Sequence, residues 1–141
     1  MIANPVIQAK IDSLNRCLLR IKSKTPASSQ QLIEDLDLQD IITLNLSRAV
    51  QLSVDISTHL IAELSLERPD TMGGTMDILV KAKIIQAHTG LQLKKAIGFR
   101  NIAVHNYEAI NWEIVYSIIT QQLQDFILFS SEIDHYLATT E

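Results

Sequence analysis

Residues 98–110 read GFRNIAVHNYEAI and gather Arg100, Asn101, His105, Asn106 and Tyr107 behind an amphipathic stretch. Histidine takes or gives a proton near neutral pH, and an arginine fork grips the oxygens of a phosphate. The same residues also suit plainer ends, because a histidine and a tyrosine at a helix terminus often satisfy caps and pack their rings. Helix geometry sharpens the choice. At about 100° per residue, Arg100 and Tyr107 share nearly one face, whereas His105 lies about 140° from Arg100. The arginine and histidine of one chain therefore converge only if the helix ends or bends near Val104. Otherwise two copies of the segment must face each other across a dimer.

Five of the twelve basic residues (Lys81, Lys83, Lys94, Lys95 and Arg100) fall between Ile78 and Tyr107, a window without Asp or Glu that Asp77 and Glu108 bound. The window carries +5 within a chain of net charge −4, so the remainder carries −9. The opening segment adds Lys10, Arg16, Arg20, Lys22 and Lys24 against Asp12. These charges read either as two solvated helix faces or as a positive rim that draws in phosphates. In the second reading Lys81, Lys83, Lys94 and Lys95 are the candidate contacts.

The elements that must position this segment are helical. Asn4-Pro5 reads as N-cap and first helical residue, and Ile7, Ile11, Leu14, Leu18 and Ile21 form one stripe of a helix ending near Lys24. A second helix is expected to begin between Ser29 and Asp37 and run to about Leu64. A loop with Pro69 and the Gly73-Gly74 pair follows, then a short helix from about Thr75, its cap, to Gln86, broken by Thr89-Gly90. The motif helix runs from about Leu91 to Val104 or slightly beyond. The closing helix starts at Asn111, with a stripe through Trp112, Tyr116, Ile119, Leu123, Phe126, Ile133 and Leu137. The expectation is all-α: an antiparallel bundle of about five helices in one domain spanning 1–141, with apolar surface left for a homodimer.

The 141 residues suit one domain, and 47% hydrophobic content fills a core. One cysteine excludes an internal disulfide framework and a multi-cysteine zinc site. The N-terminal MIANPVIQAKID lacks the basic start and apolar run of a secretory signal, and no stretch suits a bilayer span. A cytoplasmic protein without membrane attachment is the expectation. There is no phosphate-binding glycine loop and no HExxH spacing among His59, His88, His105 and His135.

Arg100, four residues, His105, one residue, Tyr107 is the RX4HXY pattern of the HEPN superfamily. The phrase GFRNIAVHNY resembles its HepT toxins, and the likeness in helix order covers nearly the whole chain. The resemblance implies the toxin of a type II toxin–antitoxin pair: a metal-independent endoribonuclease with no cofactor, acting as a homodimer with its motif at a cleft between protomers. By position it makes Arg100 and His105 the catalytic pair and Asn101 and Tyr107 supporting residues. It also implies a nucleotidyltransferase antitoxin of the MNT type, which neutralises the toxin by adding AMP to Tyr107. The residue types fit that chemistry. RNA cleaves without metal when its own 2′-hydroxyl attacks the adjacent phosphate, which needs a proton-transfer group and a fixed cation. Tyr107 could orient the phosphate or stack on a base. An alternative is a non-catalytic HEPN subunit that binds nucleotide or scaffolds the nucleotidyltransferase; a third is a structural helical adaptor.

Other polar residues carry plainer readings. His59 lies four residues after Asp55, a spacing that allows a pair. His88 lies near a helix end, and His135 is expected in solvent. Cys17 reads as a small, partly buried residue, and Trp112, Phe126 and Phe129 as packing. Asp35, Asp37 and Asp40 suit the positive end of the second helix, with a metal site the weaker reading.

Overall fold

The computed structural model describes residues 4–139, which form an all-helical bundle. Its elements are α1 (Pro5–Lys24), α2 (Ser29–Glu34), α3 (Leu36–Glu63), α4 (Met72–Lys81), α5 (Ala87–His105), a 3₁₀ turn (Tyr107–Ala109), α6 (Trp112–Ser117), a π turn (Ile118–Gln122) and α7 (Leu123–Thr139). Among the described residues no helix is long and apolar enough to cross a membrane.

α1 follows its pattern. Asn4 Oδ1 accepts from the backbone N–H of Ile7 at 3.0 Å, Pro5 opens the helix, and Ile7, Ile11, Leu14, Leu18 and Ile21 are all buried. α1 lies along α3, which packs in turn on α4 and α5. Cys17 is more buried than expected, at 8% exposure, and burial pushes its thiol pKa up against the opposing pull of Arg48 and Arg16.

The expected second helix is two helices. Ser28 and Gln31 form a reciprocal capping box that starts α2. Asp35 then caps α3 by accepting from Leu38 N at 3.1 Å. The buried Gln39 spans the break, donating from Nε2 to the carbonyls of Leu32 and Ile33, both at 3.0 Å. Those carbonyls end α2; Leu32 O also accepts from Asp35 N at 3.4 Å, and the Gln39 amide adds to that helix end the donor that α2 itself does not supply to Ile33.

The α4 boundaries also differ from expectation. The cap is Thr71, whose Oγ1 accepts from Gly74 N at 2.9 Å, and Thr75 is buried inside the helix. The Gly pair sits in the first turn. Both α3 and α4 end on left-handed residues that are not glycine, Ser65 (φ 53°) and Lys83 (φ 61°). Each is followed by a hydrogen bond reaching five residues back, Leu66 N to Ile61 O and Ile84 N to Leu79 O. These are Schellman ends, closed by the buried Ile84 in the second case and by the half-buried Leu66 in the first.

Thr89-Gly90 does not break a helix; it lies in the first turn of α5. A Cβ at Gly90 would stand 2.5 Å from Val80 Cγ2, so glycine is required where α4 and α5 cross closely. Val is stiff at χ1 and gives way poorly. Gly90→Ala is expected to lower stability by about 1–3 kcal/mol, read from urea unfolding, and Val80→Ala in the same chain should recover part of the loss.

The N-terminus of α5 has no cap of its own. Glu132 of α7 supplies one: its carboxylate accepts from Gln86 N at 2.6 Å and from Thr89 Oγ1 at 2.7 Å. A negative group there also suits the helix dipole. The closing helix begins at Asn111, which accepts from Glu113 N and Ile114 N. Ile119, Leu123, Phe126, Phe129, Ile133 and Leu137 are buried, and the π turn absorbs one extra residue within that stripe. Trp112 and Tyr116 are half-buried against the core.

Candidate nuclease site

α5 is regular through His105 and carries the motif at its C-terminal end. The α-helix is uninterrupted to His105, so the about 140° between Arg100 and His105 stands. Arg100 is half-buried, its Nη1 4.0 Å from Met72 Sδ at the start of α4. Asn101 and His105 are exposed. Among the described residues neither Arg100 nor His105 has a carboxylate partner, so both remain available to an anion.

Tyr107 departs from expectation. Asn106 caps α5 with φ −151° and ψ 68°, which takes Tyr107 off the helix and into the 3₁₀ turn. It therefore does not share the Arg100 face of α5. Its hydroxyl instead donates to Asp40 Oδ1 on α3 at 2.9 Å, and its ring meets Trp112 edge-on at 5.8 Å between centroids. Burial first and then the hydrogen bond to Asp40 push the phenol pKa up; the Thr43 hydroxyl pulls the other way, and the charge of Asp40 adds the smallest push. Asp40 belongs to the acidic group ascribed above to the helix dipole. Its contact with Tyr107 crosses 67 positions, and no local pattern signals it.

The basic window disperses in three dimensions. α4 and α5 form an antiparallel pair, so Met72 lies near Arg100 while Lys81 and Lys83 lie at the far end. Thirteen residues separate Ala87 from Arg100, which is about 20 Å of helix. Lys94 is bound to both oxygens of Asp77, at 3.1 and 3.2 Å, so it is paired with a carboxylate rather than unengaged. Lys95 stays near the motif, on a groove of about 390 Å³ floored by Phe99, Ile102, Ile110 and Ile114. Ile102, Val104 and Ile114 each keep roughly half their surface in solvent.

The remaining candidates take structural places. His59 pairs with Glu63 (3.7 Å) rather than with Asp55, which is held by Gln51 and Lys10. His88 stands 4.0 Å from Asp125 in the first turn of α5. His135 is exposed, and Phe126 and Phe129 are core. No group of three or more His, Cys, Asp or Glu gathers into a metal-binding cluster among the described residues.

Comparison with known proteins agrees with this architecture. A family model described as "Ribonuclease HepT-like" matches residues 14–133. The mRNA nuclease HepT of Shewanella oneidensis is 33% identical over 126 residues, 89% of this chain and 94% of that protein. The tRNA nuclease HepT of Aphanizomenon flos-aquae is 26% identical over 136 residues, covering 96% and 92%. The tri-AMPylated Shewanella oneidensis HEPN toxin, solved in complex with its MNT antitoxin, superposes with a TM-score of 0.88 at 32% identity, covering 94% of this chain and 99% of that one. Helix order, the motif at the exposed end of α5 and the match across residues 14–133 agree: this chain belongs to the HepT-like ribonuclease family.

Proposed function

We propose that this protein is the ribonuclease toxin of a cytoplasmic toxin–antitoxin pair, with residues 1–141 acting as one HepT-like domain. The observation that carries this reading is the pair Arg100 and His105 at the exposed end of α5, neither committed to a carboxylate. His105 moves the proton to or from the 2′-hydroxyl or the leaving oxygen, and Arg100 holds the charge that builds on the phosphate. Cleavage runs through the 2′-hydroxyl and needs no metal. Asn101 and Tyr107 line the same end. Lys95 is the basic side chain best placed to meet RNA there, and Lys81 and Lys83 reach only a longer strand.

The site is completed by a second copy. An uninterrupted α5 keeps Arg100 and His105 on different sides, and the exposed Ile102, Val104 and Ile114 flank the motif with the apolar surface a homodimer covers. An MNT-type nucleotidyltransferase is the antitoxin, and it transfers AMP to Tyr107. The adduct brings bulk and a negative charge beside Arg100 and His105, which keeps RNA out.

Expression alone is expected to arrest growth and fragment RNA, and co-expression with the neighbouring nucleotidyltransferase gene to restore both. Intact mass of the rescued protein should rise by whole AMP increments that vanish in Tyr107→Phe. Intact RNA on expression alone would refute the nuclease, and an unchanged mass after rescue would refute the modification.

A further inference from the structure

The contact between Tyr107 and Asp40 has a plain structural effect, since it ties the 3₁₀ turn to α3. It also has a chemical one. Two elements fix the phenol, α3 through the hydroxyl and α6 through the edge of Trp112, while Tyr107 keeps 40% of its surface in solvent. The oxygen is thus held in one direction on a residue that solvent reaches. A phenol is protonated near neutral pH, burial and Asp40 make this one harder still to ionise, and a neutral phenol is a weak nucleophile. Its proton must leave as it reacts. Asp40 already accepts that proton's hydrogen bond, whereas His105, two residues earlier, makes no bond to the phenol among the described residues.

We infer that Asp40 is the general base for nucleotidyl transfer to Tyr107, a role that rests on reading Tyr107 as the modified residue. Tyr107 Oη attacks the α-phosphorus of a nucleoside triphosphate presented by the antitoxin. The Oη–P bond forms as the bond from that phosphorus to the bridging oxygen breaks, and pyrophosphate departs with the electron pair. The phenolic proton passes to Asp40 and then to solvent. Charge timing favours this arrangement. An ionised Asp40 would repel the new phosphodiester beside it, whereas Asp40 that has just taken the proton is neutral and donates to it. A base supplied by the modified protein itself also confines transfer to a tyrosine with a carboxylate already in place, and Tyr116, whose hydroxyl donates to the Pro26 carbonyl, has none.

The test is AMP incorporation followed by intact mass with the purified nucleotidyltransferase, ATP and the full-length toxin. Asp40→Asn keeps the shape and an acceptor oxygen but cannot take the proton. Its kcat is expected to fall by about 10²-fold or more with KM for ATP unchanged, and Asp40→Glu should recover part of the rate. Thermal melting of both variants separates chemistry from folding, and Asp40→Glu carries the test if Asp40→Asn melts early. Modification of Asp40→Asn at the wild-type rate, or a loss confined to KM, overturns the assignment. Wild-type protein that gains no AMP overturns Tyr107 as the target and the base role with it, a failure visible before any variant is compared.

Discussion

His105→Ala is expected to lower RNA cleavage by about 10²–10⁴-fold, the usual contribution of a proton-transfer side chain. Arg100→Ala should cost a similar factor, because nothing else on α5 offers a fork to the phosphate: Lys94 is bound to Asp77, and Lys95 is a point charge. The two losses should not multiply in the double variant, since the residues act on one transition state. Stability separates this from collapse. His105 is exposed and makes no hydrogen bond among the described residues, so its removal should change unfolding free energy by no more than about 0.5 kcal/mol. Arg100 is half-buried with its guanidinium against the Met72 sulfur, and its removal should cost slightly more. Cleavage of a defined RNA by purified protein, set beside a urea titration of each variant, provides both readings. His105→Ala protein that still cleaves at the wild-type rate would place the chemistry elsewhere.

Mixing the two dead variants is expected to revive activity. If each cleft takes Arg100 from one protomer and His105 from the other, a mixed dimer holds one complete cleft and one lacking both groups. Random pairing makes half the dimers mixed, so recovery approaches about a quarter of the wild-type rate. If arginine and histidine act within one chain, every cleft lacks a group and recovery is nil. The continuity of α5 through His105 is the reason to expect the first result. Refolding the two variants together, against each refolded alone, gives the comparison. No recovery would mean that a side-chain or helix-end movement brings Arg100 and His105 together within one protomer.

Local chemistry made much of this molecule readable. Asn4-Pro5 and the α1 stripe, Asn111 as a cap and the closing helix's apolar face all depend on neighbours within a turn or two, and each appears in its expected place. The motif residues were evident for the same reason. What escaped depends on partners distant in sequence or on unusual backbone. The end of α4 uses Lys83 in a conformation that glycine ordinarily signals, so an expected end at Gln86 runs too far, and Thr71 rather than Thr75 caps its start. Gly90 looked like a breaker, yet its small size serves Val80 across the helix pair. The acid-free window around the motif was real in sequence, but folding returns Asp77 to Lys94 and carries Lys81 and Lys83 away from Arg100. Tyr107 leaves the helix because Asn106 caps it, and Asp40 comes to meet it from α3.

The anchoring of α5 has a mechanical consequence. Its root is clamped: Glu132 grips the first turn and Gly90 seats it against Val80, whereas from Asn101 to Ala109 only Ala103 is buried. Leu93, Ile97 and Ala103 seat the rest of the helix and the Tyr107–Asp40 bond ties the turn beyond it, so α5 moves as one stiff rod, and about 24 Å of helix separates Thr89 from His105. A tilt of a few degrees at the root swings the tip by more than an ångström, enough to spoil the aim of a catalytic side chain. The small contacts around Glu132, at the end of α5 remote from the motif, thereby help to set the alignment of Arg100 and His105.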